Sequence, residues 1–427
     1  MRPSPGTLAR GRSTQLARQF QAHAQRFTEA MARADYAVAV ESAEAALKMQ
    51  PSNLGVMAGY ALSLMRQKRF GHAHEVYLRI YKATAGRVLP GQTWLDGLAE
   101  ACGWLQRPED VRRYGHESLA QADARWGQAK ALPIPASDPP AFEGACRGRN
   151  IIAYTLFGDS PRYCEPAVKN VEVAAELFPQ WRCRVYLDDT VPAEVHRRLH
   201  DAGAQVVDMS GQARDGVHPL MWRFLVADDP EVTRFLIRDA DSLLSEREQA
   251  AVTEWIASPF WFHHIRDYFT HTELVLAGLW GGCRGVLAPL KPLMQGWLAK
   301  QSDVTRFADQ IFLREVVWPT LRQSVLNHDE VFGFHGARAF PAHPPIRWGS
   351  AQFHVGSNAS YQGIQGASDK VDGERQTWSV LDEQGRPVCT YSSPVHGRRW
   401  RADLPFFLIE PIAAGHWKVE LANAATG

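Results

Sequence analysis

From about residue 150 onward, apolar segments of strand length alternate with amphipathic helical segments, and this alternation most constrains the fold. IIAYTLFG has the pattern of a buried strand, YCEPAVKNVEVAAELFP that of an amphipathic helix, and WRCRVYLDD that of a second strand. A further helix, PAEVHRRLHDAG, and a further strand, AQVVDMS, continue the pattern. Strands that alternate with helices at this spacing predict a parallel α/β sheet with right-handed connections.

The earlier part of the chain, about 15–128, is helical in character and contains an internal repeat. Tyr36 and Phe70 are 34 residues apart, and Ala39 and Ala73 repeat the same step. Small residues at such positions, and at Ala61, let paired helices approach closely. A repeat of this length resembles the tetratricopeptide repeat (TPR). We therefore expect an all-α, TPR-like helical repeat domain at 15–128, with a plain helical bundle as the alternative.

Two changes of composition divide the rest of the chain. AKALPIPASDPPAFEGACRGRN is dense in Pro, Gly and Ala, which predicts a linker at 129–149 followed by the α/β domain at 150–365. Near the end, WSVLDEQGRPVCTYS predicts a hairpin around Gly385, and FFLIEPI and HWKVELA predict short strands. We expect a small β-rich C-terminal segment at 366–427.

Charge and cysteine usage exclude several classes of protein. Lys and Arg number 47 against 46 Asp and Glu, so non-specific nucleic-acid binding has no global electrostatic drive. No apolar stretch approaches the roughly 20 residues that a transmembrane helix needs. The basic start lacks the apolar segment of a secretory signal. Six cysteines without CxxC spacing favour reduced thiols over a zinc site, and we expect a cytoplasmic protein.

The sharpest local feature is the run FLIRDAD, which ends in Asp239 and Asp241. Three apolar residues predict a buried strand, and the two carboxylates then emerge at its C-terminal end, where open α/β sheets bind ligands. Carboxylates with this spacing can share one Mg²⁺ or Mn²⁺, which in turn holds a diphosphate. The alternative is a purely structural role, with Asp241 ending the strand and Ser245 capping a helix that begins at Glu246.

Several blocks of the segment from Asn150 to about Tyr361 occur in the order found in one enzyme family. These blocks are IIAYTLFGDSPRY, MWRFLVADDPEVTRFLIRDADS, GLWGG and FADQIFLREVVW. Together they resemble the nucleotide-diphospho-sugar glycosyltransferases of the GT-A (Rossmann-like) fold, of the glycogenin-like and bacterial polysaccharide type. The resemblance implies transfer of a sugar from a nucleotide-sugar donor, a UDP-sugar above all, to an acceptor hydroxyl, with Mn²⁺ or Mg²⁺ as cofactor.

The same resemblance implies roles for particular residues. The metal ligands would be Asp239, Asp241 and, within a His-x-Gly pattern, His354, with His328 and His335 as competitors for the third place. Asp309 would be a catalytic carboxylate, and Asp267, in a polar segment between the acidic pair and Asp309, is the second catalytic candidate from its residue type and position. Donor binding would fall to Tyr154, Arg223, Arg238, Trp280, Gly281 and Gln310.

FWFHHIRDYFTHTE, between the acidic pair and Asp309, allows two interpretations. It is either a sugar-facing wall of aromatic and histidine side chains or a buried strand with polar residues on its solvent side. We expect a mixture, in which Arg266 and Asp267 lie near the site and the aromatic residues lie mostly in the core.

Two hypotheses of different classes follow. In the first, the chain is a metal-dependent glycosyltransferase whose repeats bind an acceptor glycan, a protein or peptide acceptor, or a second copy of the chain. In the second, it is an interaction protein that acts through its repeats and has an inactive GT-A-like domain. Stereochemistry stays open: inversion would need Asp267 or Asp309 as base, whereas the glycogenin likeness favours retention.

Overall fold

A computed structural model describes residues 5–89, 91–211, 216–287, 289–350 and 352–421 of the protein. The last six residues of the predicted C-terminal segment lie outside these ranges. The chain divides into two compact units. The helical unit comprises Met1–Arg125 with the short segments Phe269–Thr272 and Val331–Phe334, and the α/β unit comprises Trp126–Tyr268, Glu273–Glu330 and His335–Gly427.

The helical unit is built from consecutive helices that pack on their neighbours in the chain. They are α1 Pro5–Ala32, α2 Tyr36–Met49, α3 Leu54–Arg66, α4 Phe70–Thr84, α5 Trp94–Trp104 and α6 Pro108–Trp126. Asp35 caps α2 and Asn53 caps α3, each accepting a hydrogen bond from a backbone N–H three residues later. Ala39, Ala61 and Ala73 have no exposed surface, as expected of small residues at helix crossings. No helix in the described part of the chain has the length and apolarity needed to span a membrane.

The α/β unit contains a mixed, mostly parallel sheet in the order β3-β2-β1-β4-β6-β5-β7. Its strands are β1 Asn150–Leu156, β2 Arg182–Leu187, β3 Gln205–Asp208, β4 Arg234–Arg238, β5 Phe262–Arg266, β6 Leu279–Cys283 and β7 Val325–Asp329. The helices are α7 Pro161–Leu177, α8 Ala193–Asp201, a 3-10 helix Pro219–Asp228, α9 Glu246–Ile256, α10 Leu290–Leu298, α11 Ala308–Phe312 and, after a π turn at Leu313–Val317, α12 Trp318–Leu321. The predicted α/β class is confirmed.

One strand departs from the predicted parallel sheet. β6 pairs antiparallel with both β4 and β5, whereas β1, β2, β3 and β4 pair in parallel and β5 pairs in parallel with β7. No helix separates β5 from β6 along the chain. Because a parallel neighbour needs a crossover connection, the chain instead turns back and pairs antiparallel.

A second sheet follows, in the order β12-β9-β10-β11-β8. Its strands are β8 Gln362–Ala367, β9 Arg375–Leu381, β10 Pro387–His396, β11 Arg399–Leu404 and β12 Lys418–Leu421. β9 and β10 form the predicted hairpin, with Gly385 at a positive φ of 75° in the turn. The strand predicted for FFLIEPI is wrong, because these residues lie in α13 Phe406–Ala413. A short apolar run fits a strand and a buried helix equally well.

Candidate active site

The acidic pair lies directly after β4, the middle strand of the seven-stranded sheet. Phe235, Leu236 and Ile237 are buried in the strand, as the apolar run predicts. Asp239 and Asp241 both line one cavity of about 390 Å³. Ser245 also caps α9, so the structural role considered for this segment exists beside the carboxylates that line the cavity and does not replace them.

The cavity combines three kinds of side chain. Its carboxylates come from the end of β4 and from α11, its guanidinium groups from the 3-10 helix and the segment before α11, and its aromatic rings from three separate loops and helices. These charged and aromatic residues are Asp239, Asp241, Asp309, Arg223, Arg306, Phe157, Tyr163 and Phe307. Phe157, Tyr163 and Phe307 are partly exposed, between 38% and 49%. Concave sites with convergent charges and exposed rings are typical of small-molecule binding.

Arg223 joins two of the carboxylates. Its Nη1 donates to Asp239, and its Nη2 donates to Oδ2 of Asp309 at 2.9 Å. The backbone N–H of Arg223 donates to Oγ1 of Thr155 at 2.9 Å, which fixes the start of its side chain. Only 5% of the residue is exposed. A buried arginine with two acidic partners holds the 3-10 helix, β4 and α11 around the cavity.

Asp241 lies in the more enclosed position of the acidic pair. Burial, followed by the negative charge of Asp239, raises the pKa of Asp241 to about 6. Arg162, on the first turn of α7, opposes this shift through an ion pair of 3.5 Å. Burial likewise raises the pKa of Asp309, and Arg223 opposes it. Three carboxylates and the guanidinium groups of Arg162, Arg223 and Arg306 thus lie together at this cavity.

Gly278 lets the chain pass close to Asp239. A Cβ built on this glycine would overlap the Asp239 carboxylate, so even alanine would displace it. Gly281, which the sequence resemblance assigned to donor binding, lies in β6. There a Cβ would come within 2.6 Å of the Phe235 carbonyl oxygen, so Gly281 serves the packing of β6 on β4.

Four of the predicted donor-binding residues lie inside the sheet and do not line the cavity. Tyr154, Arg238, Trp280 and Gly281 are buried in β1, β4 and β6. Arg238 is ion-paired with Glu248, and Trp280 packs edge-to-face on aromatic neighbours. These four residues lie within the strands, whereas the cavity is formed by residues beyond the strand ends. Arg223 and Gln310 do line it.

Asp267, the second predicted catalytic carboxylate, is held elsewhere by the protein. Arg247 contacts Oδ1 at 3.0 Å, and the backbone N–H of Val355 donates to Oδ2 at 2.9 Å. Asp267 does not line the cavity. Arg266 and the two histidines before it are buried within β5, so the sugar-facing wall expected of this segment does not form around the acidic pair.

His354 is not gathered with the acidic pair either. Its ring stacks on Tyr268 with centroids 3.7 Å apart, and its Nδ1 lies 3.1 Å from the Gln352 carbonyl oxygen. Burial lowers the His354 pKa to about 4. His328 pairs with His263 and Glu254, and His335 lies 2.8 Å from the Arg322 carbonyl oxygen. Within the described ranges, no group of three or more His, Cys, Asp or Glu side chains has the geometry to hold a metal.

Residues that the sequence did not single out complete the site. Phe157 and Tyr163 follow β1, and Arg306 and Phe307 precede α11. The guanidinium carbon of Arg306 lies 4.7 Å from the centroid of the Phe307 ring. A usable signal was present, because Phe157 is the first aromatic residue after a strand that ends at the same sheet edge as β4.

Comparisons with known proteins do not establish a family. No family model matches the chain, and no curated protein matches it. Among solved structures, a mutant O-GlcNAc transferase of Thermobaculum terrenum is 13% identical over 52% of this chain and 46% of its own length, with a TM-score of 0.26. A mannosyltransferase of Pyrobaculum calidifontis, solved with GDP-Man and Mn²⁺, is 14% identical over 56% of this chain and 67% of its own, with a TM-score of 0.31. The chain thus spans less than half of the first structure, and both likenesses are too distant to argue from.

Proposed function

We propose that the protein is a metal-dependent glycosyltransferase of the GT-A type, which moves a sugar from a nucleotide diphosphate donor to an acceptor hydroxyl. One observation supports this proposal. Asp239 and Asp241, at the end of a central strand, line the same cavity as two arginines and three exposed aromatic rings. Carboxylates suit a divalent cation, arginines suit phosphate oxygens, and rings suit a nucleobase.

The donor set fits a hard divalent cation. Asp239 and Asp241 are oxygen ligands two residues apart, and the pKa of Asp241 is raised first by burial and then by the charge of Asp239, which a cation would neutralise. These two side chains would hold Mn²⁺ or Mg²⁺, with the donor diphosphate among the remaining ligands. When bound, the cation supplies Lewis-acid stabilisation of the charge on the departing nucleotide diphosphate.

The chain's own residues have separable tasks in this proposal. Arg223 orients Asp239 and Asp309, and Arg162 and Arg306 supply positive charge beside the donor phosphates. Phe157 and Tyr163 stack on the base. Of the two carboxylates considered as a base for the acceptor hydroxyl, Asp309 is the one that lines the cavity, and Gln310 beside it contacts the sugar. UDP-sugars are the donors that the sequence resemblance implies.

The test is turnover of nucleotide sugars by the full chain. UDP-glucose, UDP-N-acetylglucosamine and GDP-mannose are incubated with the protein and Mn²⁺, and nucleotide release is measured. Asp239→Asn and Asp241→Asn should each reduce release at least about a hundredfold, because a Lewis acid is worth several kcal/mol. Asp208→Asn is the matched control, since Asp208 ends β3 of the same sheet outside the cavity. Undiminished turnover in both cavity variants would refute the proposal.

A groove in the helical unit supports a second role, the binding of an acceptor, a partner or a second copy of the chain through TPR-like repeats. It is a cavity of about 390 Å³ with Arg66, Asp96 and Glu100 beside Tyr77 and the exposed Leu62. If the protein acts only through this groove, no nucleotide with Mn²⁺ will raise its melting temperature. Stabilisation by UDP with Mn²⁺ supports the enzyme instead.

A further inference from the structure

A second cavity of the α/β unit, of about 380 Å³, shares no lining residue with the cavity of the acidic pair. It lies between the middle of α7 and residues of the C-terminal part of the unit, including α13. Its volume is within the range of small-molecule sites. No residue of this cavity takes part in the proposed donor binding, so it needs an explanation of its own.

The floor of this cavity is a buried, fully paired cluster. Glu165, 2% exposed, receives both terminal nitrogens of Arg198 at 2.7 and 2.9 Å. The Tyr391 hydroxyl donates to the same carboxylate at 2.6 Å. Such a bidentate, hydrogen-bonded pair is rigid, and it keeps its geometry without a ligand.

Three half-buried aromatic side chains form the walls, namely Trp348, Phe407 and Trp417. The Trp348 indole N–H donates to the Leu244 carbonyl oxygen at 2.8 Å, which fixes the plane of that ring. The Lys169 ammonium lies 5.7 Å from the centre of the Phe407 ring. Flat rings with a negative face pack well against the weakly positive C–H groups of a sugar ring.

The charges around the cavity cancel. Besides the pair in the floor, Lys169 is bridged to Glu172, and Arg347 contacts Glu176 at 2.9 Å. Three acids and three bases line the cavity, so neither an anion nor a cation is favoured. A neutral ligand with many hydroxyl groups can donate to the carboxylates and accept from the cations while it packs on the rings.

We propose that this second cavity binds a neutral oligosaccharide. Helix α7 connects it to the donor cavity, because Tyr163 lines one and Glu172 the other. On this helix the lining of the second cavity begins at Glu165, two residues after Tyr163, and extends to Glu176, so it lies roughly 3 to 20 Å from Tyr163 along the axis. A glycan bound here would therefore have one end near the proposed transfer site. Only this last statement rests on the proposed function; saccharide binding by the second cavity does not.

The test is affinity electrophoresis of the full chain in native gels that contain hydroxyethylcellulose, glycogen or galactomannan. Retardation by at least one of these neutral polysaccharides is expected, and Trp417→Ala should weaken it about tenfold, as for a central aromatic anchor. Trp104→Ala, which removes an exposed tryptophan of the helical unit, is the control. If Trp417→Ala does not fold, Glu172→Gln at the exposed rim replaces it. No retardation in any gel, or equal retardation of the variants, overturns the proposal.

Nucleotide binding separates this outcome from failure of the proposed function. Trp417→Ala should keep the melting shift given by UDP with Mn²⁺, and Asp241→Asn should lose the shift but keep its retardation in the polysaccharide gel. Loss of both properties in both variants would mean that the substitutions act through the fold, and would also overturn a separate saccharide site.

Discussion

Strands β4 and β5 run in the same direction, because β6 is antiparallel to each, and both are followed by aspartate at the same edge of the sheet. After β4, Asp239 and Asp241 face a cavity with arginines and exposed rings. After β5, Asp267 is occupied by Arg247 and a backbone N–H. The comparison teaches that a carboxylate at this edge becomes a candidate ligand only where it lines an open cavity, since an arginine contacts Asp239 and Asp267 alike.

The polar residues within β5 serve stability. Arg266 is 1% exposed, donates to the Glu273 and Leu274 carbonyl oxygens at 2.9 and 2.7 Å, and contacts Asn327 at 3.1 Å. Burial lowers the Arg266 pKa to about 10, which means that the buried position disfavours the charged form even with these partners. By contrast, Arg162 and Arg223 have acidic partners that line an open cavity.

The largest expected effect tests this structural role of β5. Arg266→Ala should lower the free energy of unfolding by about 3–5 kcal/mol, because it removes a buried cation that contacts Asp329 and donates to buried oxygen atoms. Urea denaturation of the full chain measures it. Arg306→Ala, at the exposed rim of the donor cavity, is the matched control and should change stability by less than about 0.5 kcal/mol. An equal loss of unfolding free energy in both variants would contradict the difference proposed here between the stabilising arginine of β5 and the arginines of the donor cavity.

Asp241→Asn should change the free energy of unfolding in the opposite direction. It removes a buried carboxylate beside Asp239, and the free energy of unfolding of the metal-free protein at pH 7 should rise by about 1–3 kcal/mol. The same variant should lose its stabilisation by Mn²⁺ with UDP. Asp208→Asn serves again as the control, and a destabilised Asp241→Asn protein would show that this carboxylate is structural.

Gly278→Ala should affect the site more than the fold. The new methyl group would displace the Asp239 carboxylate, and the apparent affinity for Mn²⁺ in the presence of UDP should fall about tenfold, or 1.4 kcal/mol. Gly296→Ala in α10, where a Cβ meets no atom within 4 Å, is the control and should bind Mn²⁺ normally. Titration followed by melting temperature reports both, and unchanged binding in Gly278→Ala would contradict the proposed metal position.

The smallest effect is the dependence on pH. Because the pKa of Asp241 is raised to about 6, a proton competes with the cation, and lowering the pH from 7 to 6 should weaken Mn²⁺ binding about twofold. In the metal-free protein, the folded state holds more protons than the unfolded state between about pH 4 and 6. The contribution of Asp241 to stability therefore rises as the pH falls through that range. Asp241→Asn should lack this slope, and a wild-type slope in the variant would assign it to another group.

Some features of the protein follow from its sequence alone. The apolar run before Asp239 predicted a buried strand that ends in acidic residues, and the structure has this strand. Ser245 predicted the start of α9, and Gly385 predicted the turn of a hairpin. The repeat of 34 residues coincides with the starts of α2 and α4 at Tyr36 and Phe70. These features depend on residues a few positions apart, whose sterics and hydrogen bonds act before the chain is packed.

Tertiary structure alone decided the composition of the site. Arg223 and Asp309, 86 residues apart, meet across the cavity, and His354 stacks on Tyr268 and does not line the cavity. The antiparallel direction of β6 and the helical form of α13 were likewise settled by their neighbours. Several aspartates, arginines and histidines occur at similar positions in the sequence pattern. Which of them lines the cavity depends on how the strands and helices pack, and local sequence patterns do not contain that information.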